Sequence, residues 1–148
     1  DGSYLLMNSD IYSSVLTGMK LIVVVCDNAG FAVIDRLQRA KGIPSFNNQL
    51  ADIRHEGELV RVDFAKHAEA MGAIGLRASG IGEFEAAFRQ AKEASRTTVI
   101  HIAVHPTDWT EGNGAWWECG TPEVSSRESV RRARAEHEAG KRRQRVGV

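Results

Sequence analysis

The run Lys20-Leu21-Ile22-Val23-Val24-Val25-Cys26, broken at once by Asp27-Asn28-Ala29-Gly30, constrains the fold of this chain more than any other stretch. It is β-branched and apolar at successive positions, so both faces of the strand it forms need cover, as in a parallel sheet with helices on either side. Around it, helical and strand patterns alternate. Asn8-Ser9-Asp10 offers N-cap residues for a helix reaching about Met19. Phe31 to Arg39 reads as a short helix closed near Gly42 and Pro44, and Ser45 to Val60 shows little periodicity. Asp63 caps a helix on which Phe64, His67, Ala68 and Met71 share a face, ending at Gly72. Ala73 to Ala78 makes a short strand. Glu83 to Ser95 makes a helix with Phe84, Ala87, Phe88 and Ala91 at helical spacing, and Thr97 to His105 a further strand. Alternation of this kind predicts an α/β domain with a mainly parallel sheet flanked by helices.

After Pro106 the character changes. Trp109, Trp116 and Trp117 sit among glycines and polar residues without a period, and Ser125-Ser126-Arg127-Glu128 has the pattern of a capping box opening a last helix. The chain therefore divides into an α/β domain over 1–124 and a helical tail over 125–148. The tail's apolar face is thin (Val130, Ala133, Ala135), which suits a surface helix or an arm. At 148 residues there is enough chain for one core, and a composition 43% hydrophobic and 26% charged belongs to globular proteins. A formal net charge of +0 gives no overall pull toward nucleic acid or an anionic membrane. The run Lys141-Arg142-Arg143-Gln144-Arg145 is a local exception. It is terminal, short, free of interleaved aromatics and preceded by glutamates, so a solvated helix end is favoured over a nucleic-acid arm. The longest apolar run, Leu21 to Cys26, is far below a membrane span. Cys26 and Cys119 are too few for a disulfide framework. Cys26, closing the strand, is expected to be a buried thiol in a reducing cytoplasm. The chain opens at Asp1 with no Met, which leads us to expect a piece of a longer protein.

Ligands in such sheets bind at the carboxyl ends of the strands, where Asp27-Asn28-Ala29-Gly30 falls. Asp1-Gly2-Ser3 is a second candidate loop there. Taken singly, each of these motifs is an ordinary turn. Together they hold what a diphosphate with Mg²⁺ needs: the Asp1 carboxylate, the Asn28 amide oxygen and the Gly30 carbonyl are three oxygens for a cation that prefers octahedral oxygen coordination. Gly2 would let backbone approach phosphate closely, and the helix start at Asn8 to Asp10 would offer free N–H groups.

At the separation that runs from Asp1 to Asn28, this pair of motifs resembles the diphosphate-binding motif of thiamine diphosphate (ThDP) enzymes. Asp63-Phe64-Ala65-Lys66-His67-Ala68-Glu69-Ala70-Met71-Gly72-Ala73, followed by a helix and a strand, carries the resemblance downstream. Arg36-Leu37-Gln38, Phe46-Asn47-Asn48, Arg54-His55-Glu56, Trp116-Trp117 and Pro122-Glu123-Val124-Ser125 are similar to the branch of that family that opens a cyclic 1,2-diketone in myo-inositol breakdown.

The resemblance implies ThDP and Mg²⁺ as cofactors, with Asp1, Asn28 and Gly30 on the metal and Asp1, Gly2, Ser3, Asn28 and Gly30 around the cofactor. It also implies C–C cleavage to a 5-deoxy-glucuronic acid, a sheet whose first strand, before Asp1, this chain lacks, N-terminal domains outside this chain, and a homo-oligomer. The cofactor-activating glutamate belongs to such an N-terminal domain, so no catalytic residue is assigned here and the chain alone is expected to be inactive. Asp27 stands where the family has the first, non-ligating Asn of a pair, and Glu118-Cys119-Gly120 is less apolar than the branch pattern. Acetolactate-synthase-like enzymes and 2-oxo acid decarboxylases share the metal motif. Among the histidines, His67 reads as a packed residue, His101 and His105 as flanking a strand without metal-ligand spacing, and His55 as the one to test for substrate contact. Trp116 and Trp117 read as an interdomain contact before an active-site cover, and Glu83 and Glu85 as acidic residues favouring a helix start.

Overall fold

The computed structural model describes residues 1–53, 60–108 and 119–144. Three parallel strands, β1 (Ile22–Asp27), β2 (Ile74–Ala78) and β3 (Thr98–Ala103), lie in the order β1-β3-β2. Residue pairs Val25↔His101 and Leu76↔Ile100 set the register, and all three strands point their carboxyl ends to one edge. Helices α1 (Gly2–Met7), α2 (Ser9–Thr17) and α4 (Phe64–Ala70) belong to one face. There Ile11, Val25, Phe64, Ala68, Ala73 and Val99 form the main core cluster, flanked by Tyr4, Val15, Val23 and Met71. Helix α5 (Ile81–Glu93) covers the other face through Ala87, Ala91 and Phe84 against Ile22, Leu76 and Ile100. The architecture is the α/β sheet with helices on both faces that the alternation predicts.

Local chemistry explains most boundaries. Asp63 accepts the Lys66 N–H and so caps α4, and its carboxylate also takes both contacts of the Arg77 guanidinium at 2.6 and 2.7 Å. These bonds, the backbone one first, hold the Asp63 carboxyl below its usual range. Glu83, in the first turn of α5, accepts from the Ser79 backbone N–H and hydroxyl at 2.8 Å each, which lowers its carboxyl too. Gly75 lets β2 and α4 touch: a Cβ there would stand 2.3 Å from the Ala65 carbonyl.

Four expectations give way. The first helix does not start at Asn8 to Asp10: α1 already begins at Gly2 under the Asp1 cap, and Asn8 is an α-helical link that returns its amide to Leu5 O at 3.0 Å. Tyr4 explains the early start, because α1 lays its ring edge-on to Phe64 at 5.3 Å. Cys26 is exposed rather than buried. Strand β1 is at the sheet edge, and α5 covers Ile22 but not the carboxyl end of that face. The capping box at Ser125 does not form as such. Helix α6 (Glu128–Arg143) starts after Arg127, Ser125 Oγ accepts the Arg127 N–H, and Glu128 pairs with Arg131 instead. Finally, Ala135 is exposed; the buried stripe of α6 is Val130, Ala133, His137 and Gly140, which share a face at helical spacing.

Helix α3 (Ala32–Ala40) follows the turn after β1, and α6 meets its end, where Ser129 Oγ donates to Gly42 O at 2.6 Å. A single 3₁₀ turn, Leu50–Asp52, lies in the segment expected to lack periodicity.

Candidate functional site

The turn after β1 is held by a full set of partners. Asp27 Oδ1 accepts the Ala29 N–H at 2.9 Å, closing an Asx turn around Asn28. Ala29 is thereby held at φ +60°, a left-handed conformation that costs a non-glycine residue roughly 1–2 kcal/mol. Segment Asn48–Leu50 clamps the far side. Phe31 N–H donates to Asn48 O at 2.7 Å, and Leu50 N–H to Ala29 O at 2.8 Å. Gly30 has φ +152°, and a Cβ on it would stand 2.4 Å from Asn48 O, so glycine is required on two counts. Phe46-Asn47-Asn48 and Arg36-Leu37-Gln38, separate in sequence, meet here: the Asn48 amide donates to Gln38 Oε1.

Asp1 reaches the same turn from α1. Its amino group donates to Cys26 O at 3.3 Å, Oδ2 accepts the Gly30 N–H at 2.7 Å, and Oδ1 accepts the Gly2 N–H at 3.0 Å. One terminal atom of the Asn28 amide stands 3.1 Å from Asp1 Oδ1 and 2.9 Å from Gly30 O. With nitrogen at that place, the amide donates to both oxygens. With oxygen there, three oxygens face one another, an arrangement that a cation would stabilise. The fold thus brings Asp1, Asn28 and Gly30 together at the carboxyl end of β1. Gly2 and Ser3 lie beside them as the first residues of α1 rather than as a loop. Gly2 is small for a packing reason: a Cβ on it would come within 2.6 Å of the Phe31 ring.

A cleft of about 360 Å³ opens on this cluster, lined by Asp1, Ser3, Asn28 and Gly30. Its apolar side is Leu6, Phe31, Val33 and Ile34, all exposed. Such a cleft, apolar with a few convergent polar groups, has the form of a small-molecule site. Among the described residues, no three His, Cys, Asp or Glu side chains form a metal-holding group. The donor set of carboxylate, amide and backbone carbonyl is all oxygen, which suits a hard cation and not zinc.

Sequence reasoning missed one pair. Asp27 Oδ2 stands 3.1 Å from His101 Nε2, with both side chains largely buried. His101 lies inside β3 rather than beside it, on the same sheet face as Asp27, and no local signal reveals that cross-strand register. His67 is half-buried with Nδ1 3.0 Å from the Tyr4 hydroxyl, a packed residue as expected. Burial raises the Tyr4 phenol. His105 lies in the loop after β3 and accepts the Asp108 N–H at 3.1 Å. His55, with Arg54 and Glu56, and the three tryptophans lie outside the described residues.

Comparison with known proteins gives the family. The family model "Thiamine pyrophosphate enzyme, C-terminal TPP binding domain" matches residues 1–102. A protein of Listeria monocytogenes serotype 4b (strain F2365), named 3D-(3,5/4)-trihydroxycyclohexane-1,2-dione hydrolase, is 37% identical over 139 residues, covering 94% of this chain and 22% of that protein. Proteins of the same name from Geobacillus thermodenitrificans (strain NG80-2) and Bacillus subtilis (strain 168) are 36% and 35% identical, each over 90% of this chain and 22% and 21% of their own lengths. The chain spans about a fifth of the length of the curated relatives it matches. By the extent of the family match and the cluster of Asp1, Asn28 and Gly30 at the end of β1, this chain belongs to the thiamine pyrophosphate enzymes, as their C-terminal TPP-binding domain.

Proposed function

We propose that Asp1, Asn28 and Gly30 hold Mg²⁺, and through it the diphosphate of ThDP, in a longer enzyme that hydrolyses a C–C bond of a cyclic 1,2-diketone. The observation that carries the metal reading is the spacing of the Asn28 amide from Asp1 Oδ1 and Gly30 O, 3.1 and 2.9 Å. Adjacent ligands of an octahedral Mg²⁺ with oxygens at 2.0–2.1 Å stand about 2.9 Å apart. Two of the three ligand separations are thus compatible with an ion once the amide oxygen faces inward, and with nitrogen inward they are hydrogen bonds that hold the same residues together. Gly2 and Ser3 border the diphosphate, and Leu6, Phe31, Val33 and Ile34 offer an apolar wall beside it.

When bound, ThDP supplies a carbanion that adds to a carbonyl and a ring that takes up the electrons of the broken bond. The residues of this chain anchor and orient. Asp1 would offset part of the ion's charge and Asn28 would help to fix its position, and the Asn48–Leu50 clamp keeps the Gly30 carbonyl in place. The metal is a positioning device rather than a Lewis acid at the reacting carbonyl. The substrate class follows from the relatives' name, and the implied setting is inositol catabolism in a reducing cytoplasm, where Cys26 and Cys119 stay as thiols. The activating glutamate and most of the substrate pocket belong to the rest of a homo-oligomeric protein, with residues 125–148 as a helical tail to a domain of 1–124.

Ring opening of 3D-(3,5/4)-trihydroxycyclohexane-1,2-dione by the full-length protein, with and without ThDP and Mg²⁺, is the test. Turnover needing both supports the reading. Asn28→Ala and Asp1→Ala are then expected to lower ThDP affinity at fixed Mg²⁺ by at least about tenfold. ThDP binding with an intact dione would redirect the search to 2-oxo acids and acetolactate-type ligation. No ThDP binding at all would overturn the metal site.

A further inference from the structure

The carboxylate of Asp27 lies one residue before Asn28 and only 9% exposed, yet neither of its oxygens turns to the cation cluster. Oδ1 is taken by the Ala29 N–H at 2.9 Å and Oδ2 faces His101 Nε2 at 3.1 Å. A carboxylate only accepts, so the imidazole donates from Nε2. We propose that Asp27 and His101 are positioning residues that hold the Asn28–Gly30 turn in its cation-gripping shape; this rests on the metal reading above.

Ala29 sits between the two residues that supply the amide and the carbonyl, in a left-handed conformation that alanine does not choose on its own. The Asp27 Oδ1 contact holds its N–H from the strand side, while the Leu50 N–H holds its carbonyl from the clamp. If Ala29 relaxed toward negative φ, the Asn28 side chain and the Gly30 carbonyl would swing apart. Asp27 can hold Ala29 only if its own side chain is fixed, and His101 does that from the central strand. His101 is in turn packed on Phe64, ring centroids 5.6 Å apart, and Phe64 meets Tyr4 at 5.3 Å. Tyr4 is on the same short helix that Asp1 caps. One packed path, Tyr4–Phe64–His101–Asp27, therefore joins the helix carrying Asp1 to the turn carrying Asn28 and Gly30. Partners outside the coordination shell that orient ligands commonly change metal affinity by 10–100-fold when removed.

The test uses the full-length protein and Mn²⁺ as the probe ion, with ThDP present, reading free Mn²⁺ by electron paramagnetic resonance and fold by thermal melting. His101→Gln keeps an N–H at the Nε2 position, whereas the amide of His101→Asn stops short of Asp27. Asp27→Asn keeps a carbonyl oxygen for the Ala29 N–H, whereas Asp27→Ala removes it. The expected result is Mn²⁺ affinity about tenfold weaker or more in His101→Asn and Asp27→Ala, and within about threefold of wild type in His101→Gln and Asp27→Asn. A merely structural role would move melting without separating Gln from Asn in ion affinity. Should Asp27→Ala fail to fold, the two His101 variants decide alone. Wild-type affinity in His101→Asn, with the wild type binding Mn²⁺ normally, overturns the pair and leaves the metal site standing. A wild-type protein that takes up no Mn²⁺ with ThDP overturns the metal reading itself.

Discussion

At the level of single residues, the site is a set of small constraints that all fall on one turn. Gly30 carries two of them, its φ of +152° and the 2.4 Å approach of Asn48 O to a would-be Cβ. Gly30→Ala therefore has to move the Asn48–Leu50 clamp or distort the turn. A loss of about 1–3 kcal/mol in a chemical melt of the full-length protein is expected, together with weakened ThDP binding. Asp1, Asn28 and Gly30 were legible without coordinates because their chemistry is carried by residue type and spacing. Asp27 was legible only as a departure from a pattern. Its partner His101 is distant in sequence, and their meeting depends on β1 and β3 pairing with Val25 opposite His101.

Elements show how local chemistry and packing divide the work. Helix α4 begins where Asp63 predicts, because the cap needs nothing beyond the N–H groups of its own first turn. Helix α1 begins before its expected start, because the packing of Tyr4 on Phe64 favours a turn that propensity alone does not. The depressed carboxyls of Asp63 and Glu83 yield a pH prediction. A folded-state value below the unfolded one adds stability that is present above the unfolded pKa and is lost as pH falls through the folded one. Melting midpoints should therefore drop from roughly pH 5 downward, where unfolded carboxyls begin to take up protons. Asp63→Asn should flatten part of that acid limb, since Asn still caps α4 but no longer carries the charge that faces Arg77. An unchanged acid profile in that variant would remove Asp63 from the account.

For the molecule as a whole, the edge position of β1 matters most. Among the described residues the strand pairs with β3 alone, and its other side opens on a cleft of about 430 Å³ lined by Leu21, Val23, Val24, Val25 and Cys26 with Met7 and Tyr4. An apolar edge strand invites further pairing. The 148-residue chain made alone is expected to melt at low temperature or to associate, and to show no turnover of the dione; sedimentation and a thermal scan read the first, a ring-opening assay the second. A cooperative, high-temperature melt of a lone monomer would show that β1 needs no further cover. The exposed apolar side of the cleft beside Asp1 and Asn28, formed by Leu6, Phe31, Val33 and Ile34, points the same way.

The α/β class, the parallel strands and most helices were readable from sequence alone, and so were three residues expected at a metal, which the fold brings side by side. Period, cap chemistry and motif spacing are local properties, present before any long-range contact forms. Long-range packing set which strand lies at the edge, why Cys26 is exposed, which face of α6 is buried, and that His101 faces Asp27. Those outcomes depend on strand order and register, and no short stretch of chain carries that information.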